Sequence, residues 1–421
     1  GRNVRTARYG CAMGRLIAAL LLAAILCGAG PAPAIEREVT PADFTNSLSQ
    51  AKPGDTLKLA AGTYRGPITI SVPSLRLAGE KGAVIDGGGH GMALTILADG
   101  VEIEDLTVRG SGSDLANNDA VILIREVHHV TVRRCKVDEK AFGIYVRSGG
   151  DHLIAGNSVT GDVALPRSKR GNGIHLWRTE RNQVLDNDVA NVRDGLYFSF
   201  ALHNLIRGNR ATGVRYGIHY MYSDDNTLIG NRLEKCLGGA ALMFSKRNLL
   251  EGNQVIANRR FGIVLLAVDN SRFINNLVAH NDRGLVLENS SSDRFEKNRI
   301  VENGIGAFIT AGSESNLFAS NAFDGNLVQA YVSHSGINTW AENGRGNFWS
   351  DYVGFDLNGN GVGETPYRLQ NATSALMATR PQARWFMMSP VFALLDWFQQ
   401  RLVSSGDSFI DPAPLVARAG R

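Results

Sequence analysis

Gly217-Ile-His-Tyr-Met-Tyr222 and, just beyond it, Asn226-Thr-Leu-Ile-Gly-Asn231 decide the fold of this 421-residue chain. Both runs alternate with period 2 and are bounded by Gly, Asn, Asp or Ser, which is the pattern of short strands. The unit recurs. Gly143, Gly173, Gly195, Gly217, Gly239, Gly262, Gly284 and Gly306 each open such a strand, and after Gly173 the spacings are 22, 22, 22, 23, 22 and 22 residues. An asparagine column keeps step through Asn157, Asn187, Asn209, Asn231, Asn253, Asn276, Asn298 and Asn321. A repeat this short and regular means a solenoid, because one unit cannot bury its own apolar face.

Leucine-rich repeats have similar periods, but their Leu-x-x-Leu-x-Leu frame is absent and no unit leaves room for a helix. The expected fold is therefore all-β, a right-handed parallel β-helix of about 22 residues per coil. Each residue then stacks on its counterpart about 4.8 Å along the axis. The asparagine column becomes a buried amide ladder, and Asn also tolerates the left-handed backbone of a sharp turn. These asparagines are assigned structure and no chemistry.

Met13 and Arg15 precede the apolar run Leu16 to Leu26, and Ala32-x-Ala34 suits a signal peptidase. The run is too short to span a bilayer. The expectation is export to the periplasm with cleavage near Ala34, and the bulky Leu26 before Cys27 argues against a lipoprotein. Cys135 and Cys236 remain, about four coils or roughly 19 Å apart, beyond disulfide reach. The net charge of +4 is a mild excess that does not indicate nucleic-acid binding. No phosphate-binding loop occurs, so no nucleotide is expected. Thr40 and Pro41 read as the cap and first residue of a short helix plugging the N-terminal end. The expected divisions are a leader over 1–34, the β-helix over 35–346, a cap over 347–370 and a tail over 371–421. Excursions near Ser111 to Asp119 and Gly161 to Arg170 both precede a glycine-led strand and emerge on one edge.

Column arithmetic separates core from surface. Ile218 and Tyr220 type positions point inward, so Tyr145, His175, Tyr197, His219 and Ala241, beside Arg147, Trp177, Ser199, Met221 and Met243, point outward. An outward strip of aromatic, His and Met residues has two readings. Imidazole and thioether suit Cu(I), with His219, Met221 and Met243 as ligands on one face. Alternatively the strip is an apolar patch covered by a partner, since Met is common at adaptable interfaces. Arg167 and Arg170 rim the same edge as docking contacts or as a solvated loop. Carboxylates are missing from the outward columns before Glu288, which counts against a polysaccharide lyase, hydrolase or epimerase on this scaffold.

In the C-terminal segment Asp356, Asn358, Asn360 and Glu364 resemble the start of a calcium loop, but position 12 is Tyr367, and a metal-free turn fits equally. Trp385-Phe-Met-Met-Ser-Pro-Val-Phe-Ala-Leu-Leu-Asp-Trp-Phe398 is strongly apolar, too short to span, and reads as an end cap or as a docking segment using Trp385, Phe386, Trp397 and Phe398.

With strip and tail together, the chain resembles the NosD family. The resembling residues are Gly171-Asn-Gly-Ile-His-Leu-Trp177, Arg193-Asp-Gly-Leu-Tyr-Phe198, Arg215-Tyr-Gly-Ile-His-Tyr-Met-Tyr-Ser223, Gly239-Ala-Ala-Leu-Met-Phe-Ser245, and Asn347-Phe-Trp-Ser-Asp-Tyr352 through Thr365-Pro-Tyr367. The resemblance implies a periplasmic accessory role in maturing nitrous oxide reductase. The implied partners are an ABC transporter membrane subunit with its ATPase, a copper-chaperone lipoprotein and the reductase. It does not identify metal ligands, which rest on column geometry alone. A non-catalytic structural solenoid is the remaining alternative.

Overall fold

In the computed structural model the described residues are 34–310, 312–333, 336–368, 372–386, 389–392, 394 and 410–417, and the expected leader apart from Ala34 lies outside them. Three parallel sheets run the length of a β-solenoid. The first has 13 strands, from Glu36–Val39 to Leu317–Ala319, and the second has 13, from Gly62–Arg65 to Phe348–Trp349. The third has 12 longer strands, from Ile68–Ile70 to Val328–Ser333. One coil contributes one strand to each sheet, as in Thr227–Ile229, Arg232–Glu234 and Gly238–Lys246. Inward positions carry Ile, Val, Leu and Phe, and their stacking makes one continuous core. Phe273, Phe295, Phe318 and Trp340 form a file of parallel rings 4.6, 4.6 and 4.5 Å apart.

The glycine column marks a corner where successive coils nearly touch. A Cβ on Gly239 would lie 2.2 Å from Val255 Cγ1 and 2.8 Å from the carbonyl oxygen of Gly262. Close approach, rather than a left-handed backbone, fixes the residue type there.

The asparagine column is the buried ladder its period predicts. Asn209 donates its backbone N–H and Nδ2 to Asn231 Oδ1, both at 3.0 Å, and Asn231 repeats this on Asn253 at 2.9 Å. The ladder continues to Asn347, so the expected division at 346 falls inside the stack: Asn347 is a rung and Phe348–Trp349 the last strand of the second sheet. Two further ladders were not read from the sequence. One runs through Asn182, Asn204, Asn226, Asn248, Ser271, Asp293, Asn316 and Asn338. The other runs through Asn258, Asn281, Asn303 and Asn326. Cys135 heads the first ladder and Cys236 the third, both free and buried as expected. Burial pushes their thiols up to about 12 and about 11, which keeps them unreactive.

Both ends differ from expectation. The N-terminal helix is Phe44–Gln50 with Asp43 at its N-cap, because the Thr40 hydroxyl donates to Asp43 Oδ2 at 2.7 Å rather than capping the helix itself. Phe44 packs edge-on against Tyr64 of the first complete coil, 5.1 Å between centroids. At the other end Ile410–Asp411 pairs antiparallel with Tyr367–Arg368, and Leu415 is buried beside Phe348. Asp411 accepts from the Asn347 backbone at 2.7 Å and from Trp349 Nε1 at 2.9 Å, so it terminates the first ladder.

Candidate metal site and partner surface

Strand register sets the outer face of the third sheet. Tyr145, His175, Tyr197, His219 and Ala241 align in one column, and Arg147, Trp177, Ser199, Met221 and Met243 in the next. The columns leave the core as alternation requires, but they do not form an open strip. Successive rings from Tyr145 to His219 lie 4.6, 4.7 and 4.9 Å apart between centroids, the first pair stacked and the next two edge to face. Phe142 and Tyr216 lean on the two imidazoles, and the first excursion brings Leu115 against the apolar cluster that contains Phe142 and Tyr145. His175 and His219 are accordingly only 9% and 7% exposed, a correction to the surface strip expected from alternation.

His219 is held by a charged pair. Its Nδ1 faces Asp194 Oδ2 at 3.1 Å, while Arg215 donates Nε to Oδ1 at 2.7 Å and Nη2 to Oδ2 at 2.5 Å. Burial acts to raise the Asp194 carboxyl, but the hydrogen bonds from Arg215 and His219 outweigh it and hold the group at about 2. An ionised carboxylate only accepts, so the imidazole carries a proton on Nδ1, and its neutral form presents the Nε2 lone pair. That Nε2 is buried and has no hydrogen-bond partner. This is the arrangement in which a carboxylate orients a metal-binding histidine. Met221 and Met243 are direct Cα partners on neighbouring strands, both half-buried, and Met221 lies two residues from His219 on the same face. Among the described residues no three His, Cys, Asp or Glu side chains gather into a metal group, so a soft ion here depends on the thioethers.

His175 differs from His219. Neither ring nitrogen has a partner, and burial, reinforced by the charge of Arg193, depresses it to about 3. It lines a groove with Tyr145, Trp177 and Tyr197. Arg170 of the second excursion donates to the carbonyls of Leu165 and Val163 in its own loop and of Asn191 in the next coil, so it staples the loop to the stack, whereas Arg167 is exposed.

The apolar tail lies beside the stack. Met377 and Phe392 pack on Ile305, Val328 and Tyr331 of the last coils, while the end itself is covered by residues 410–416. Trp385 and Phe386 are left 88% and 64% exposed, and Trp397 and Phe398 lie outside the described residues. No helix among the described residues is long and apolar enough to cross a membrane. In the loop 356–364, Asp356 accepts from the amides of Gly359, Asn360 and Gly361, and Asn358 and Asn360 accept from Asn360 and Val362. Glu364 contributes its backbone N–H to Phe355 O. These are Asx-type turns.

A family model described as periplasmic copper-binding protein (NosD) matches residues 156–354. A probable ABC transporter binding protein NosD of Stutzerimonas stutzeri is 34% identical over 379 residues, covering 86% of this chain and 87% of that protein. Its namesake in Pseudomonas aeruginosa is 34% identical over 357 residues, covering 81% and 83%. The chain belongs to the NosD family. Among solved structures, a family 28 exopolygalacturonase of Yersinia enterocolitica aligns with a TM-score of 0.59 at 10% identity, covering 73% of this chain and 79% of its own. An exopolygalacturonase of Thermotoga maritima aligns at 0.53 and 12%, covering 71% and 95%. At these identities the likeness shows the shared β-helix and nothing about chemistry.

Hydrolysis of a glycosidic bond needs two accessible carboxyl groups across the scissile bond. Asp194 is fully buried and committed to Arg215 and His219. Column arithmetic missed Asp194 because it precedes the corner glycine, where strand alternation breaks. The signal was present one coil apart in Arg193-Asp-Gly195 and Arg215-Tyr-Gly217, an acid and a base brought into stacking distance by a 22-residue repeat.

Proposed function

We propose that this chain is a periplasmic, non-catalytic accessory protein that holds Cu(I) in transit on His219, Met221 and Met243. The observation carrying the reading is the His219 Nε2 atom, buried, unpartnered and fixed in tautomer by Asp194, on the same face as the paired Met221 and Met243. The description of the matching family model as copper-binding supports the cargo, and the relatives' names support a link to an ABC transporter. Copper would be substrate here, passed on through ligand exchange by soft ligands rather than consumed in a reaction. In the finer reading the pathway ends at the copper-sulfide centre of nitrous oxide reductase, with a copper-chaperone lipoprotein as donor and the transporter's ATPase as energy source.

Titration with Cu(I) against a competing chelator tests the site. The H219A/M221A/M243A variant is expected to bind at least about 30-fold more weakly than the parent, corresponding to roughly 2 kcal/mol. Equal affinity would sink the assignment. The exposed Trp385 and Phe386 are proposed to dock on the transporter's membrane subunit, an apolar partner suited to amphipathic aromatic anchors. Deleting residues 381–403 is expected to abolish copurification with that subunit, and an intact association would overturn the docking role.

A further inference from the structure

Between the two excursions the outer face carries a second feature, independent of the copper reading. Trp177 receives two guanidinium groups, Arg147 at 5.4 Å and Arg178 at 4.6 Å from its ring centroid. Arg147 is its register partner one coil earlier, and Arg178 is its chain neighbour, placed by a left-handed backbone at φ 51°. Two guanidinium groups against one indole gather two positive charges at one place on the outer face. Nearby carboxylates are already spent: Asp194 on Arg215 and His219, Asp151 and Glu180 on Arg181. Neither Arg147 nor Arg178 makes an ion pair with a carboxylate among the described residues.

Beside this stack lies a groove of about 370 Å³ whose lining includes Asn118, His175, Tyr197 and Ser199 together with Arg147 and Trp177. Its floor supplies the second observation. His175 is more than nine-tenths buried, lines the groove and has no partner on either ring nitrogen. Those nitrogens are themselves buried, so His175 gives the groove an aromatic floor and no accessible hydrogen-bonding atom. A guanidinium stacked on an aromatic face keeps its in-plane N–H groups free for bidentate contact with a carboxylate. The volume sits near the small end for ligand sites, and the residue types, Trp, Tyr and Arg, are those that anchor protein interfaces.

We propose that the Trp177 groove is a carboxylate-recognition site for an acidic segment of a partner polypeptide, with Arg147, which lines the groove, and Arg178, against the same indole, gripping Glu or Asp side chains of that segment. A polypeptide is favoured over a small anion because the groove is open and walled by aromatic rings that reward additional apolar contact. The charge complementarity identifies the segment as acidic.

Calorimetry with octaglutamate tests the site on the intact protein. Binding is expected to be saturable, to weaken at least tenfold in an R147Q/R178Q variant, and to weaken with added salt. Octalysine is expected not to bind. Both arginine side chains are exposed, so the variant should melt with the parent, and the Trp177 indole N–H resonance should shift with octaglutamate in the parent only. Unchanged affinity in the variant, or absence of octaglutamate binding, would overturn the proposal. Tighter binding of an oligomannuronate of matched charge would reassign the groove to acidic sugars and overturn it equally.

Discussion

Replacing Asn231 by Ala is expected to cost on the order of 4 kcal/mol, although the side chain touches no proposed ligand and lies far from either end of the stack. The residue is completely buried and serves two neighbouring coils. Its Oδ1 accepts the backbone N–H and Nδ2 of Asn209, and its Nδ2 donates to the carbonyl of Ile206 and to Asn253 Oδ1, each at 2.9–3.0 Å. Truncation therefore strands the Asn209 backbone N–H and the Ile206 carbonyl in a dry interior, while Asn209 Nδ2 keeps the carbonyls of Val184 and Arg207. Each such group costs about 1–3 kcal/mol, far more than a hydrogen bond exchanged with water. The loss should be local first, because a solenoid's stability is a sum over neighbouring coils. Hydrogen exchange at the Asn209 amide is expected to speed up by at least 100-fold, with a fall in melting temperature. By contrast, Asn117, on the exposed tip of the first excursion, should tolerate Ala within about 0.5 kcal/mol. A loss below about 1 kcal/mol for Asn231→Ala would mean that water enters the ladder and satisfies the stranded groups.

The ladder was legible because period and residue type reinforce each other. A glycine is needed wherever coils nearly touch and an amide wherever both a donor and an acceptor must be met one coil away, so Gly239 and Asn231 recur together. Inward positions such as Ile218 and Tyr220 were equally legible, since alternation within one strand is set by the backbone. Alternation could not supply what comes from two coils at once. It turned His175 and His219 outward correctly but did not register that Tyr145, Tyr197, Phe142 and Tyr216 would cover them. Asp194 escaped because the chain bends at the residue before the corner glycine, and the face of a side chain there is not set by the strand it introduces. The C-terminal closure escaped for another reason. Asp411 reaches Asn347 across 64 residues of sequence, and no periodic signal spans that distance. The apolar tail, the most conspicuous feature of that region in the sequence, distracts from the short segment 410–416 that does the closing.

Asp293 occupies a rung of the second ladder where its neighbours in that column are Asn248, Ser271 and Asn316, and Asp293→Asn is expected to stabilise the protein by on the order of 3 kcal/mol at pH 8. Its Oδ1 accepts from the Ser271 backbone at 2.7 Å, but Oδ2 is buried and has no partner. At the equivalent atom Asn248 donates to the carbonyl of Ser223 and Asn316 to that of Ser290. A carboxylate cannot donate, so it faces a site built for an amide. Burial, only partly offset by the Ser271 hydrogen bond, pushes the carboxyl from 3.8 up to about 8. The sign follows from linkage. Below about pH 4 the group is neutral in both folded and unfolded chains and costs little. As the pH rises from 4 towards 8 the unfolded chain ionises while the folded one resists, and stability falls throughout that window. Above 8 both forms are charged and the penalty is constant. Asparagine removes the titration and restores the missing donor, so the gain in melting temperature should be small at pH 4, grow through neutrality and level off above 8. A gain independent of pH would show that the hydrogen bond alone matters, and no gain at pH 8 would mean that Asp293 finds a partner in water.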